Sequence, residues 1–507
     1  MHKRSLRPLW MRSLPLVMTL AVVVGTTAPS ALAAPKDTLV VGQSADITSF
    51  DPTELRMGTY VLTHLLYNSL IRIDQNGKPQ PELAKSWTRS EDGKSLTLNL
   101  VDGVRFHNGK RLTAKDVAFS INYAKDPANG ANILPLARLV ERIETPDDLT
   151  IVLHLTGGSD AAFDLLDLAF IIDSDAPDKV KTLGNGTGPF KLARYEPGQE
   201  AVFVRNDAYW RMPPSLKRVT IRIIPDQQSG IMQLRAGSVD FIPSVDRESA
   251  EQLKAAGLAT GTATAEGRVL DLTLNVRKAP FDKPAVRQAI NLALDRTRIA
   301  HDVGGPSSLI KCLPWPAYAR EVNTAPAEAC KQDIEKAKQL IIDSGAQGAH
   351  VDIMSRSQSE PQIGAMAQIV QNTLTGIGLN ASINEMSEAA YISRFRKGDF
   401  QLAAHVFGRA GRGPATIISS AVIFKGTDNL AGITSSQYAQ DVSLVTSSPL
   451  NPTTLDAFKR INNYLLEENW VLPIATLPVQ WAAKPELRDV SFNLDGMPLL
   501  ERARLAP

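Results

Sequence analysis

The sequence is short of several things, and each shortage narrows what the chain can be. There are only two cysteines in 507 residues, Cys312 and Cys330. That is too few for a disulfide-built fold and short of the four ligands of a structural zinc site. Neither sign of charge is in excess, with 55 basic against 53 acidic residues. Four of the basic ones, Lys3, Arg4, Arg7 and Arg12, sit before the first apolar run, so the remainder carries a net charge of about −2 and offers no electrostatic footprint for nucleic acid.

Long apolar runs are also scarce. Residues 14–24 form a run of about a dozen, well under the ~20 that cross a bilayer. Later stretches are broken by Asp164 and Asp167, or by Pro473 and Pro478. With basic residues before it and Ala31-Leu32-Ala33 after it, the first run has the order of a cleaved export signal, and no cysteine stands at the junction to accept a lipid. Residues 1–33 are expected to be removed, leaving a soluble protein in an oxidising compartment. There, two cysteines this close in sequence read as a disulfide.

Catalytic machinery is missing as well. No G-x-S-x-G elbow or H-E-x-x-H pair occurs, and Gly93-Lys94-Ser95 lacks the upstream glycine of a phosphate loop. Gly184-Asn185-Gly186-Thr187-Gly188 runs into Pro189 and a strand, so it reads as a turn between segments and not as a dinucleotide fingerprint. Past the signal, His64, His107, His154, His301, His350 and His405 make no i, i+4 or H-x-H pair. A secreted hydrolase, the rival class, therefore has no motif to stand on, and the expectation is no enzyme, no cofactor and no metal.

What the chain does have is both periodicities, mixed throughout, which gives an α/β class of two or three domains at this length. Thr38–Val41, Ser95–Leu100 and Thr150–Leu155 alternate like strands. Thr113-Ala114-Lys115-Asp116 has the form of a capping box. Ile363, Met366, Ala367, Val370, Leu374 and Ile377 form a helical stripe ended by Gly378. The clearest segment is Leu274–Arg298. Asp271–Val276 alternates, Pro280 to Pro284 breaks the chain, and Val286, Ala289, Ile290, Ala293 and Leu294 recur at helical spacing behind Pro284 in a first turn.

The wording of that segment, Asn275-Val276-Arg277-Lys278-Ala279-Pro280-Phe281 through Asp295-Arg296, resembles the family 5, peptide/nickel-type, extracellular solute-binding proteins of ABC importers. The likeness continues in Pro81-Glu82-Leu83-Ala84-Lys85-Ser86-Trp87, Val104-Arg105-Phe106-His107-Asn108-Gly109, Gly186-Thr187-Gly188-Pro189-Phe190 and Asp333-Ile334-Glu335-Lys336-Ala337-Lys338. It implies a two-lobed, three-domain binding-protein fold with a ligand cleft between lobes. By that analogy residues 34–75, 188–268 and 478–507 form a discontinuous first lobe, 76–187 an inserted small domain and 269–477 the second lobe. It also implies a periplasmic monomer that hands a small-molecule or peptide ligand to inner-membrane permease subunits.

Candidate ligand contacts follow from the same resemblance. Peptide-binding relatives carry acidic residues in the loop after Ala403–Phe407, where this chain has Arg409 and Arg412. Arg356 follows the strand Val351–Ile353, near where relatives hold a ligand carboxylate. Phe407 and Tyr60 complete the set, Tyr60 as a ring near the start of a helix. Guanidinium forks suit carboxylates, so the expected ligand is an anionic or zwitterionic amino-acid derivative, with an ordinary di- or oligopeptide as the alternative.

Overall fold

Strand-period segments recur between helices along the whole chain, so the apolar faces are buried in sheets covered by helices. The computed structural model describes residues 37–55, 59–264 and 266–506. The expected signal, residues 1–33, lies outside them. Among the described residues no helix is long and apolar enough to cross a membrane.

In chain order the strands begin with β1 (Thr38–Gln43), the hairpin β2 (Ile71–Ile73) and β3 (Pro79–Pro81), then β4 (Ala84–Arg89) and β5 (Ser95–Leu100). Next come β6 (Val140–Asp147), β7 (Thr150–Leu155), β8 (Phe190–Glu196), β9 (Glu200–Arg205), β10 (Arg218–Ile223), β11 (Phe241–Val245) and β12 (Ala259–Thr264). The later ones are β13 (Arg268–Leu274), β14 (His350–Ser355), β15 (Asn380–Glu385), β16 (Leu402–Gly408), β17 (Val471–Thr476) and β18 (Val479–Ala483).

Three larger sheets result. The first, in the order β12-β18-β11-β1-β10-β9-β8, has β1 at its centre, parallel to both neighbours. The second, β4-β5-β7-β6, is antiparallel, and Leu96, Leu98, Leu100, Ile151 and Leu153 all point to its buried face, as the alternation requires. The third is β15-β14-β16-β13-β17. Its strand β13 is buried over nearly its whole length between two partners, and its alternation places Asp271 and Thr273 as buried polar residues among Val269, Leu270, Leu272 and Leu274.

Local signals set the helix ends. Thr113 and Asp116 form the reciprocal capping box that opens the helix Ala114–Lys125, which satisfies two otherwise orphaned N–H groups. Pro284 occupies the first turn of the helix Pro284–Ala293, and the helix Pro361–Gly376 stops just before Gly378, whose φ is +98°. The chain passes between the first and third sheets twice, from β12 to β13 and from β17 to β18, each time through a few residues. Cys312 and Cys330 are joined as a disulfide, closing a loop that begins just after Ile310, which bridges Ala475 on the edge strand β17 of the third sheet.

Candidate functional site

The site is organised by the turn that leaves β16. Its last residue is followed by Arg409 in the left-handed region, φ +58°, and the Ala410 amide donates to Gly267 O at 3.1 Å, tying the turn to the crossing before β13. The helix Pro414–Ser420 then begins. Gly413 N and Thr416 Oγ1 both donate to Asp164 Oδ2, the former at 3.2 Å. Asp164 belongs to the helix Ala161–Leu168, so a carboxylate from a distant segment accepts from the backbone N–H that precedes this helix and from a hydroxyl in its first turn.

Arg412 lies between them, fully buried. Its Nη1 donates to Asp164 Oδ1 at 3.3 Å and to Asp167, and its Nε and Nη2 donate to Asp495. Burial opposes its charge, but the pull of Asp495, Asp167 and Asp164 outweighs that and raises its pKa well above the ordinary value. For Asp167, burial dominates over Arg412 and raises the pKa; for Asp495, Arg412 outweighs burial and lowers it. Close by, His64 is packed edge-on against Phe170 at 5.0 Å and contacts Asn493 at 3.3 Å. Desolvation, helped by Arg72, lowers its pKa to about 3.

A second junction lies alongside. Lys311 pairs with Glu266 and donates to Trp315 O at 2.9 Å, while Ala317 N donates to Glu266 Oε2 at 2.9 Å. These bonds hold the next residue, Tyr318, against Gly77 in the β2–β3 turn. A Cβ on Gly77 would come within 2.3 Å of the Tyr318 ring, and φ there is +74°, so glycine is required on both counts. At another point Gly158 N donates to Ser447 O at 2.7 Å. Between these contacts is a cavity of about 530 Å³ walled by the β2–β3 hairpin, the start of the helix Ala161–Leu168, residues 318–322, the start of the helix Pro414–Ser420 and residues 445–458.

The residues singled out in the sequence are distributed unevenly over this arrangement. Arg409 is half-buried; its carbonyl accepts from Arg412 N at 3.1 Å, but its guanidinium has no hydrogen bond or ion pair among the described residues, and its charge helps to lower the Asp495 pKa. Arg412, expected to reach for a ligand anion, instead spends its N–H groups on three carboxylates of its own chain. Arg356 pairs with Glu360 at 3.2 Å and Glu388 at 3.3 Å and lies over the Tyr391 ring at 5.3 Å. Phe407 is 6% exposed and packs edge-on to Phe424, which makes it a core residue because its side of β16 faces the helical layer. Tyr60 opens the helix Tyr60–Leu66, and its side chain lies outside the described residues. Sequence reasoning misses Asp164, Asp167, Asp495, Glu266, Lys311 and Tyr318. Asp164 and Asp167 do leave a trace as acids inside an apolar run, where burial demands a partner.

Comparison with known proteins places this architecture. The family model for "Bacterial extracellular solute-binding proteins, family 5 Middle" matches residues 78–422. The chain is 29% identical over 385 residues to heme-binding protein A of Haemophilus influenzae, covering 68% of this chain and 69% of that one. It is 26% identical over 463 residues to the nickel-binding periplasmic protein of Escherichia coli, covering 84% and 87%. Among solved structures, NikA from Brucella suis in complex with Fe(III)-EDTA superposes with a TM-score of 0.83 at 23% identity, over 92% of this chain and 99% of that chain. The chain belongs to family 5 of the bacterial extracellular solute-binding proteins, a family of binding proteins that work with ABC permeases.

Proposed function

We propose that the protein captures a small zwitterionic or anionic amino-acid-derived solute between its lobes and delivers it to an inner-membrane ABC permease. In this reading it is exported by cleavage after residue 33, acts as a monomer, and divides into lobes and an inserted domain at the boundaries given above. The observation that carries it is Arg409, a half-buried residue on a turn fixed by a left-handed backbone and the pinned Ala410 amide, whose guanidinium makes no hydrogen bond or ion pair among the described residues. A guanidinium fork of this kind gains most from a carboxylate.

One observation favours the ordinary peptide reading alongside it. With Arg412 committed to Asp164, Asp167 and Asp495, and Lys311 to Glu266, the junction carries no surplus of positive charge, so a ligand with both signs fits better than a polyanion. Relatives named for dipeptides and for glutathione are in keeping with a zwitterion. Native mass spectrometry of protein purified without refolding, followed by calorimetry with the molecule found, tests the proposal. Arg409→Ala is expected to weaken binding by about 1.5–3 kcal/mol, the range for hydrogen bonds to a charged group. A loss below ~0.5 kcal/mol would return Arg409 to the exposed surface.

A further inference from the structure

We propose that the cavity between the β2–β3 hairpin and the Tyr318–Val322 loop receives a bulky apolar group of the transported solute, so that the cargo is amphipathic, with a charged head and an aromatic or branched aliphatic side chain. This rests on the solute-binding reading above and narrows it to a ligand class.

Size is the first argument. About 530 Å³ falls inside the roughly 300–1,000 Å³ of small-molecule sites. Composition is the second. Phe163, Val322, Pro414, Val445, Leu450 and Phe458 all contribute to the wall, and of the carboxylates that reach it Asp160 and Asp164 are hydrogen-bonded, while Glu321, next to Arg320, is exposed to solvent. Asp164 accepts from Gly413 N, Thr416 and Arg412, and Asp160 accepts from Arg89 and from Leu450 N at 3.0 Å. An apolar guest therefore meets no unpaired buried acid, and its transfer from water is favourable.

Tyr318 supplies the third argument. Its hydroxyl has no hydrogen-bond partner among the described residues, and burial with Asp164 nearby raises its pKa, so it stays a donor for an acceptor on the guest. Arg409 does not itself line the cavity, but Gly413 and Pro414, four and five residues further along the same turn, do.

The test is calorimetry with three dipeptides of equal charge, Ala-Ala, Ala-Leu and Ala-Phe. Affinity is expected to rise about ten- to a hundred-fold from Ala-Ala to the bulky pair, the increment for burying a Leu or Phe side chain. Ala319→Trp and, separately, Ala415→Phe fill the cavity from two sides and are expected to collapse the Ala-Phe to Ala-Ala affinity ratio toward one. Tyr318→Phe is expected to weaken Ala-Phe about two- to tenfold. Arg409→Ala should weaken all three alike and leave the ratio intact, which keeps the charged-head reading separate from this one. A flat series in the unaltered protein, or a ratio unchanged in both filled variants, overturns the cavity as a side-chain receptor. Failure of all three dipeptides to bind overturns the amino-acid-derived cargo itself.

Discussion

Arg412 is where the balance of forces is sharpest. One guanidinium faces three buried carboxylates, so the cluster keeps its acids only because the positive charge is there. Removing it leaves uncompensated buried charge, a loss of about 3–5 kcal/mol. Arg412→Ala should show that loss as a lower denaturant midpoint, and Arg412→Lys should fall between because a point charge cannot reproduce the fork. A shift under ~1 kcal/mol for Arg412→Ala would mean the cluster is solvated. His64 makes a separate prediction about pH. Its folded pKa is depressed from 6.5 to about 3 by desolvation, so between those values the unfolded chain binds a proton that the folded one refuses. Stability from this group is complete above pH 6.5 and is lost as pH falls, by roughly 2–3 kcal/mol at pH 4.5. In His64→Gln that part of the acid slope should vanish; an unchanged slope between pH 6.5 and 4.5 would assign it to other groups.

Elements whose determinants are local can be read from the sequence alone. The β13 strand and the helix behind Pro284 are set by neighbouring residues: alternation, a proline in the first turn and a stripe at helical spacing. The same holds for the Thr113–Asp116 box. The turn after β16 is legible as a turn but not in its contacts, because the partners of Arg412 lie far away in sequence, Asp164 by 248 residues. Nothing local distinguishes an arginine bound for solvent from one bound for a distant acid. Phe407 misleads for the same reason, since either face of a central strand can be a cleft or a core. The Cys312–Cys330 loop makes a prediction at this scale. Closing the 18 residues of separation removes unfolded-state freedom worth ~3 kcal/mol in the chain-entropy model. The double variant Cys312→Ser, Cys330→Ser should unfold at correspondingly lower denaturant, and unreduced, unfolded protein should show no titratable thiol. Two reactive thiols would remove the staple from the account.

For the whole molecule, the two short crossings from β12 to β13 and from β17 to β18 permit bending about one axis while restraining other motions. Opening about that axis would separate the groups that meet between the segments: Gly158 from Ser447, Tyr318 from Gly77, and Asp164 from Gly413 and Thr416. The last of these gives closure a physical handle, because the helix Pro414–Ser420 gains its N-terminal acceptor only when Asp164 is in place. Hydrogen bonds to a charged acceptor such as this tertiary cap contribute about 1.5–3 kcal/mol, and if they form only on closure that amount is added to ligand affinity, a factor of roughly 10 to 150. Ligand should therefore compact the protein in solution scattering and raise its melting temperature by mass action. Asp164→Ala should bind the same ligand more weakly by that factor and require more of it for the same compaction. If Asp164→Ala is destabilised without ligand yet compacts at the same ligand concentration as the unaltered protein, the cap is present in both states and plays no part in closure.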